Sequence, residues 1–369
     1  MAREQTFSME EEFAGLDCNS SRLEKRFIRT METLFKRPDK SIWFCSENRA
    51  EAKAIYRMLG NENLTQEEVL RTHREATIKR MAQQGEVVLA VQDTTSLNYN
   101  THEKTEGIGY ISEKTLGVKI HSCLAVTTKG LVLGLLDQVP YKRLQGKSDN
   151  RSHYSKVTRT LEEKESFRWV KTLETSTLSI PETVKVITVC DREGDMYELL
   201  DTAELKGHLF LIRIAHNRMT KDNQLILDAI RKNDCMGKVE ITIPRDSRNN
   251  LKERDGVLQI RYDRYEIKRP RRLNNNEAIK DCLDVWVIHA KEENPSSGTE
   301  GIEWFLMTNE PVDSIEAAYE RVCYYMQRWK IERFHYVLKS GCAVEKLQER
   351  SMDKTTLLVS MYWLLQLLL

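Results

Sequence analysis

The chain has 369 residues, and its 57 Lys and Arg against 56 Asp and Glu give a formal charge of +1. This length allows a catalytic domain with one or two smaller modules, and the balanced charge by itself neither favours nor excludes a nucleic-acid partner. Eight scattered cysteines show neither zinc spacing nor a disulfide scaffold. Without a leader or an apolar stretch of the roughly 20 residues that span a bilayer, we expect a protein of the reducing cytoplasm.

Residues 1–82 are predicted to form a small helical module, with helices near 23–35, 50–59 and 66–81 and a possible cap at Ser20 or Ser21. Six basic residues against two acidic ones lie in 22–37, and the same ratio recurs in 261–272. Such runs are either phosphate contacts or solvated faces, and composition leaves both interpretations open.

Two apolar runs predict strands buried on both faces. Residues 87–91 lead to Asp93, and residues 184–190 lead to Asp191. Both aspartates are therefore expected just beyond strand ends, where open α/β sheets place their ligands. Further strands are predicted at 118–127, 131–139 and 209–214, with a helix at 161–173 and an exposed loop at 141–155.

A β-rich pattern follows at 221–300, and then a long helix is predicted from a capping box at Asp313 and Glu316 to Gly341. Along that helix four polar residues stand at offsets 0, 3, 7 and 14, within an arc of about 60° at roughly 100° per residue. They predict an outward stripe opposite an apolar face. The four are Tyr325, Arg328, Glu332 and Lys339.

Three blocks carry a resemblance to a known family. Residues 325–335 read YMQRWKIERFH and precede Lys339, residues 92–96 read QDTTS, and residues 190–195 read CDREGD. Residues 92–96 and 190–195 resemble the first and second catalytic blocks of the insertion-sequence-four family of DDE transposases, and residues 325–335 with Lys339 resemble its YREK signature. The transposase of transposon five is the best-known relative in that family. The similarity extends over nearly the whole chain.

The resemblance implies an α/β fold: an RNase H-like catalytic core with an inserted β-rich subdomain and an N-terminal helical DNA-binding module. The implied domains are 1–82 for the DNA-binding module, 83–220 and 301–345 for the core, 221–300 for the insertion and 346–369 for the start of a C-terminal helical region.

The implied activity is Mg²⁺-dependent cleavage at transposon ends and strand transfer, by cut-and-paste through a hairpin intermediate. Asp93, Asp191 and Glu332 are the catalytic and metal residues, binding two Mg²⁺ ions for which Mn²⁺ substitutes. Asp191 is chosen over its neighbours Glu193 and Asp195 because it directly follows the strand. The implied partners are double-stranded terminal inverted repeats and target DNA, in a nucleoid-associated bacterial protein that forms a synaptic homodimer.

Further DNA contacts are expected along the chain, although Ala215 stands where close relatives carry a basic residue. Trp304 is expected either to stack a flipped base or to be a core tryptophan. The expected contacts are Tyr325, Arg328, Lys339, His335, Trp304, Arg213, Arg218, Arg22, Lys25, Arg26 and Arg29.

Two alternatives remain open. The apolar run 357–369 predicts burial against a partner or a truncated chain, so the protein could be an assembly-defective remnant that binds inverted repeats without completing transposition. Carboxylates at strand ends also serve glycoside hydrolysis, but that reaction gives Arg328 and Lys339 no role.

Overall fold

The N-terminal residues fold into helices close to the predicted bounds. The computed structural model describes residues 8–84, 87–143, 161–244, 252–273, 278–295 and 301–367. Ser20 caps the second helix by accepting from the Leu23 amide, one of the two caps predicted, and Asn48 caps the fourth. These helices are α1 (Met9–Glu12), α2 (Ser21–Phe35), α3 (Ile42–Cys45), α4 (Arg49–Leu59) and α5 (Gln66–Gln84).

Contacts between Cα atoms divide the chain into two compact units. The first comprises Met1–Thr158, Glu174–Lys185 and Trp329–Leu369, and the second comprises Arg159–Leu173 and Val186–Arg328. The domain bounds implied by the family resemblance are not tested by this division, and they stay predictions.

The sheet of the first unit is antiparallel. Strand β1 (Val87–Asn98) pairs with β3 (Leu116–Thr127), which also pairs with β2 (Gly109–Tyr110) and β4 (Val132–Tyr141). The predicted end of the first strand is wrong, because the β1–β3 ladder continues past Asp93 to the last residue of β1. Asp93 therefore lies within a strand. The exposed loop predicted at 141–155 lies mostly outside the described residues.

Glu12, at the end of α1, joins this helix to α5 through a buried polar network. Its carboxylate accepts from His73 Nδ1 at 2.5 Å and from Arg80 Nη1 at 2.6 Å. The Leu135 amide donates to His73 Nε2 at 2.9 Å, so the ring is neutral with its proton on Nδ1. Burial alone would raise the pKa of Glu12, but the hydrogen bonds and charges of its partners lower it to about 2. Burial lowers the pKa of His73.

Gly134 of β4 provides space for Thr77 of α5. A Cβ at this position would lie 2.0 Å from Thr77 Oγ1. That hydroxyl donates to the His73 carbonyl at 3.0 Å and cannot turn away without losing the bond. The absent side chain of Gly134 thus determines how closely α5 packs on β4.

Helix α11 (Met352–Gln366) is buried on nearly all sides by its own chain. It packs against α2, α4, α5 and β4. Ser360 is one of the few polar residues of α11, and its Oγ accepts a hydrogen bond from Gln66 Nε2 at 2.9 Å. The predicted burial against a partner is therefore wrong for the described part of this run, because the N-terminal helices cover it.

The second unit combines parallel and antiparallel pairing. Strand β5 (Lys185–Cys190) runs parallel to β6 (Leu209–Arg213), with α7 (Tyr197–Lys206) between them in sequence. The strands of the predicted insertion continue the same sheet, because β9 pairs with β10, which also pairs with β6. The remaining elements are α6 (Phe167–Thr177), α8 (Ile226–Lys232), β7 (Gly237–Ile243), β8 (Arg254–Lys268), β9 (Cys282–Glu293) and β10 (Glu303–Thr308).

The core of this unit lies between its helices and the sheet. Buried Trp169 and Leu173 of α6 pack with Leu199 and Leu200 of α7 and with apolar residues of β6 and β9. A Cβ on Gly194 would lie 2.5 Å from Cys190 Cβ, so the turn after β5 is tightly packed. The mixed α/β fold with an N-terminal helical region is confirmed.

The predicted long helix is two helices. Helix α9 (Ile315–Met326) ends before Gln327, and α10 (Trp329–Tyr336) continues into a π-helical turn, Val337–Gly341. The Ser314 hydroxyl caps α9 by accepting from the Ala317 amide at 3.1 Å, so the predicted cap at Asp313 is wrong by one residue.

Candidate functional site

A basic groove lies between α2 and α4. It encloses about 700 Å³ and contains the four basic residues of the N-terminal module that the sequence analysis placed on DNA, Arg22, Lys25, Arg26 and Arg29, with Arg57 and Asn61 on the α4 side. The basic run 22–37 and the family resemblance identified the α2 residues, whereas the part played by Arg57 and Asn61 follows from how the two helices pack. The lining residues are Ser20, Ser21, Arg22, Leu23, Lys25, Arg26, Arg29, Ala54, Arg57, Met58 and Asn61.

Arg29 differs from the other cations of the groove because carboxylates already face it. Its guanidinium lies 3.3 Å from Glu51 and 3.9 Å from Glu47. Glu51 is buried and also accepts from the Glu47 amide, as the third residue of the α4 capping box. Arg29 therefore stabilises the module as well as contributing charge to the groove.

The second basic run, 261–272, is largely neutralised within its own unit. Arg272 forms a bidentate pair with buried Glu198 at 2.6 and 2.7 Å. Arg269 pairs with Asp281 at 2.6 Å, and Arg264 pairs with Asp284 at 3.1 Å. Of the two interpretations left open for this run, the structure favours internal ion pairs over phosphate contacts.

Asp93 lies on β1, on which α10 packs. Its Oδ1 accepts from the Thr94 amide at 2.8 Å, and His335 Nδ1 lies 3.6 Å from its Oδ2. His335 is buried and packs edge-on against Trp363 at 5.3 Å. His335 therefore lies close to Asp93, and its burial does not favour direct contact with DNA in this conformation.

The opposite face of β1 is held by a buried histidine. His121 of β3 contacts Thr94 Oγ1 through Nδ1 at 2.9 Å and Gln92 Oε1 through Nε2 at 3.1 Å. Because the side-chain carbonyl of Gln92 can only accept, His121 Nε2 carries the proton and donates to it, and His121 Nδ1 accepts from the Thr94 hydroxyl. This bridge fixes the two residues that flank Asp93 in the strand.

The three acids of the second block have different surroundings. Asp191 directly follows β5, as predicted, and its Oδ1 accepts from the Glu193 amide at 2.8 Å. Glu193 is exposed and pairs with Arg168 at 3.2 Å. Asp195 is buried, and its Oδ2 accepts from the amides of Ala215 and His216 at 2.7 and 2.9 Å. Asp195 is therefore a structural residue.

Arg218 completes the Asp195 network. Its guanidinium lies 2.5 Å from Asp195 Oδ1, and the side chain is buried. The Ala215 amide that Asp195 uses belongs to the position where a basic residue was expected. In this conformation Arg218 joins the turn after β6 to the second block, a placement that does not favour contact with DNA.

Tyr325 lies among charged and aromatic groups of the second unit. It is only 4% exposed and meets the half-buried Trp304 edge-on at 5.4 Å, so its predicted place on an outward stripe is wrong. Burial raises the pKa of Tyr325, while the positive charges of Arg328 and Arg213 act in the opposite direction and Asp191 adds to the rise. Arg213, Arg328 and Asp191 therefore lie within electrostatic range of Tyr325.

Glu332 lies on α10 and Lys339 on the π-helical turn, both partly exposed. The break at residues 327–328 separates them from Tyr325 and contains Arg328, so the arc calculated for one straight helix does not apply. Their roles stay predictions.

Oxygen donors are the ligands Mg²⁺ prefers, and the three proposed acids fit that chemistry individually. Among the described residues, however, no group of three or more His, Cys, Asp or Glu side chains is placed to hold an ion. Within the same residues, no helix is both long and apolar enough to cross a membrane, and none of the eight cysteines forms a disulfide.

Comparison with known proteins connects the N-terminal helices to transposases. Residues 7–64 match the transposase DNA-binding family. Over 93% of its length the chain also aligns with piggyBac transposase, from a cryo-EM structure of its synaptic complex with hairpin DNA, at 12% identity and a TM-score of 0.43. The chain spans 64% of that protein.

Proposed function

We propose that the protein is a DNA transposase that binds transposon ends through its N-terminal module and cleaves them with Asp93, Asp191 and Glu332. The observation that carries the proposal is the basic groove between α2 and α4, which lies inside the segment that matches the transposase DNA-binding family. Its five cations suit a phosphate backbone, and Asn61 and Ser20 add neutral hydrogen-bonding groups.

The choice of carboxylates is supported by how their neighbours are used. Asp195 is committed to two amides and to Arg218, while Glu193 forms a surface ion pair. Asp191 directly follows β5 and is partly exposed, within electrostatic range of the buried Tyr325. These contacts support Asp191 as the reactive acid of the second block.

By the family resemblance, the proposal includes two Mg²⁺ ions held by Asp93, Asp191 and Glu332, with Mn²⁺ as a substitute. When bound, such ions activate water and stabilise negative charge on a phosphate. Arg328, with its planar guanidinium, would bind a phosphate oxygen pair beside the cut. Lys339, Arg213 and Tyr325 would provide further contacts, and the half-buried Trp304 would stack a base during the hairpin step.

A cleavage assay tests the proposal. The substrate is a labelled duplex made from the DNA that flanks the gene, incubated with the purified chain and Mg²⁺ or Mn²⁺. We expect nicking at the end that is lost in Glu332→Gln and Asp191→Asn, with duplex binding retained, whereas Glu193→Gln keeps cleavage.

Two results would contradict this proposal in different ways. Metal-dependent nicking that survives Glu332→Gln would refute the role proposed for the Glu332 carboxylate. Tight end binding without cleavage by the unmodified chain would support the assembly-defective remnant. The homodimer is proposed for the end-bound state, and light scattering of that complex measures it.

A further inference from the structure

Two large aromatic side chains are exposed side by side on α3. Trp43 is 55% exposed and Phe44 is 69% exposed. Aromatic residues at adjacent positions are seldom left this accessible without a function, because exposing large apolar side chains to water is unfavourable.

The helix that carries this aromatic pair is held firmly. Ile42 is buried, so α3 is anchored on the helices against which it packs, α2 and α4. Cys45 Sγ donates to the Arg37 carbonyl at 3.3 Å, and Ser46 Oγ donates to the Ile42 carbonyl at 2.7 Å. The aromatic pair is therefore presented from a fixed platform on the same helices that form the basic groove.

The surroundings of the aromatic pair are cationic. Lys36, Arg37, Lys40 and Arg49 are all exposed within residues 36–49. Asp39 lies 2.7 Å from Lys40, so these two charges offset one another, and Glu47 lies 3.9 Å from Arg29, which leaves the stretch with a net positive charge from Lys36, Arg37 and Arg49. An apolar pair surrounded by cations is complementary to a polyanion that also presents flat apolar surfaces.

We propose that Trp43 and Phe44 make non-ionic contacts with the bases of duplex DNA, adjoining the phosphate contacts of the α2–α4 groove. Apolar side chains contact thymine methyl groups or unstack a base step, and the neighbouring cations hold the backbone. A symmetric contact with a second copy would instead place the same cations against one another, which disfavours association. This inference rests on the proposed function.

The test measures affinity for a fluorescent 30-base-pair duplex of random sequence over a range of salt concentrations. The double variant Trp43→Ala/Phe44→Ala should bind about tenfold more weakly at every salt concentration. Its slope of log affinity against log salt should equal that of the unmodified chain, because no phosphate contact is removed. Leu178→Ala, at another exposed apolar residue outside the module, is the matched control and should bind normally.

Each outcome decides between the two proposals. If the unmodified chain does not bind the duplex, the proposed function fails and this inference fails with it. If the chain binds and the double variant binds equally well, or loses affinity through an altered slope, the inference alone is overturned. The same holds if the double variant abolishes self-association seen by light scattering while leaving DNA affinity unchanged.

A second measurement does not depend on how the double variant folds. The emission of Trp43 is obtained as the difference between the unmodified chain and Trp43→Phe. The duplex should shield this emission from acrylamide, and unchanged quenching in saturating DNA would overturn the inference.

Discussion

The salt dependence of DNA binding provides the sharpest test of the α2–α4 groove. Five cations line it, but Arg29 already faces Glu51 at 3.3 Å, so four to five phosphate contacts are expected. At about 0.9 counterions per contact, log affinity should fall with log salt at a slope between about −3.6 and −4.5. Between about 50 and 200 mM salt, affinity would then fall roughly 150- to 500-fold.

Arg26→Ala and Arg29→Ala form a matched pair for this measurement, read by fluorescence anisotropy of a labelled duplex. Arg26→Ala should make the slope shallower by about 0.9 without loss of stability. Arg29→Ala should change the slope less but lower the free energy of unfolding, because buried Glu51 loses its cation. A slope near zero in the unmodified chain, or an unchanged slope in Arg26→Ala, would refute the role of the groove.

Three further substitutions test the packing, each by urea unfolding. The lowered pKa of Glu12 contributes stability that is present above its ordinary value of 4.5 and lost as pH falls through about 2. Glu12→Gln should therefore reduce the fall in the free energy of unfolding at acidic pH, and near pH 7 it should lower that free energy by about 3 kcal/mol. An unchanged pH dependence would contradict the network. Asp195→Asn should destabilise by about 3–5 kcal/mol, whereas equal stability of Asp195→Asn and Asp191→Asn would refute their different roles. Gly134→Ala should cost at least about 1–3 kcal/mol from overpacking against Thr77, and a neutral result would show that α5 can move.

The sequence predicted well where local pattern determines structure. Helices α2, α4 and α5 follow from local sequence pattern, whereas the short α1 and α3 were not predicted, and Asp191 follows directly from the apolar run of β5. The predicted end of β1 was wrong because four of the five residues 94–98 are polar and resemble a turn. Pairing with β3, a contact distant in sequence, keeps this stretch extended.

The helix break at 327–328 and the buried position of Arg218 could not be predicted, because local sequence indicates neither. Gln327 and Arg328 both favour helix, so periodicity continues through the break. Arg218 resembles a surface cation until the fold brings it against buried Asp195. The groove residues of α2 were predictable from one helix face, whereas Arg57 and the exposed Trp43 depend on how separate helices pack.

Helix α11 has a consequence for how the protein is made. The apolar surfaces of α2, α4 and α5 are covered by a helix encoded far downstream, as the contact between Gln66 and Ser360 spans 294 positions. At about 5–20 residues per second, the ribosome needs roughly 15–60 s to synthesise that interval. During that time the nascent N-terminal helices lack their cover and are open to chaperones and proteases, so an isolated fragment of residues 1–84 should aggregate.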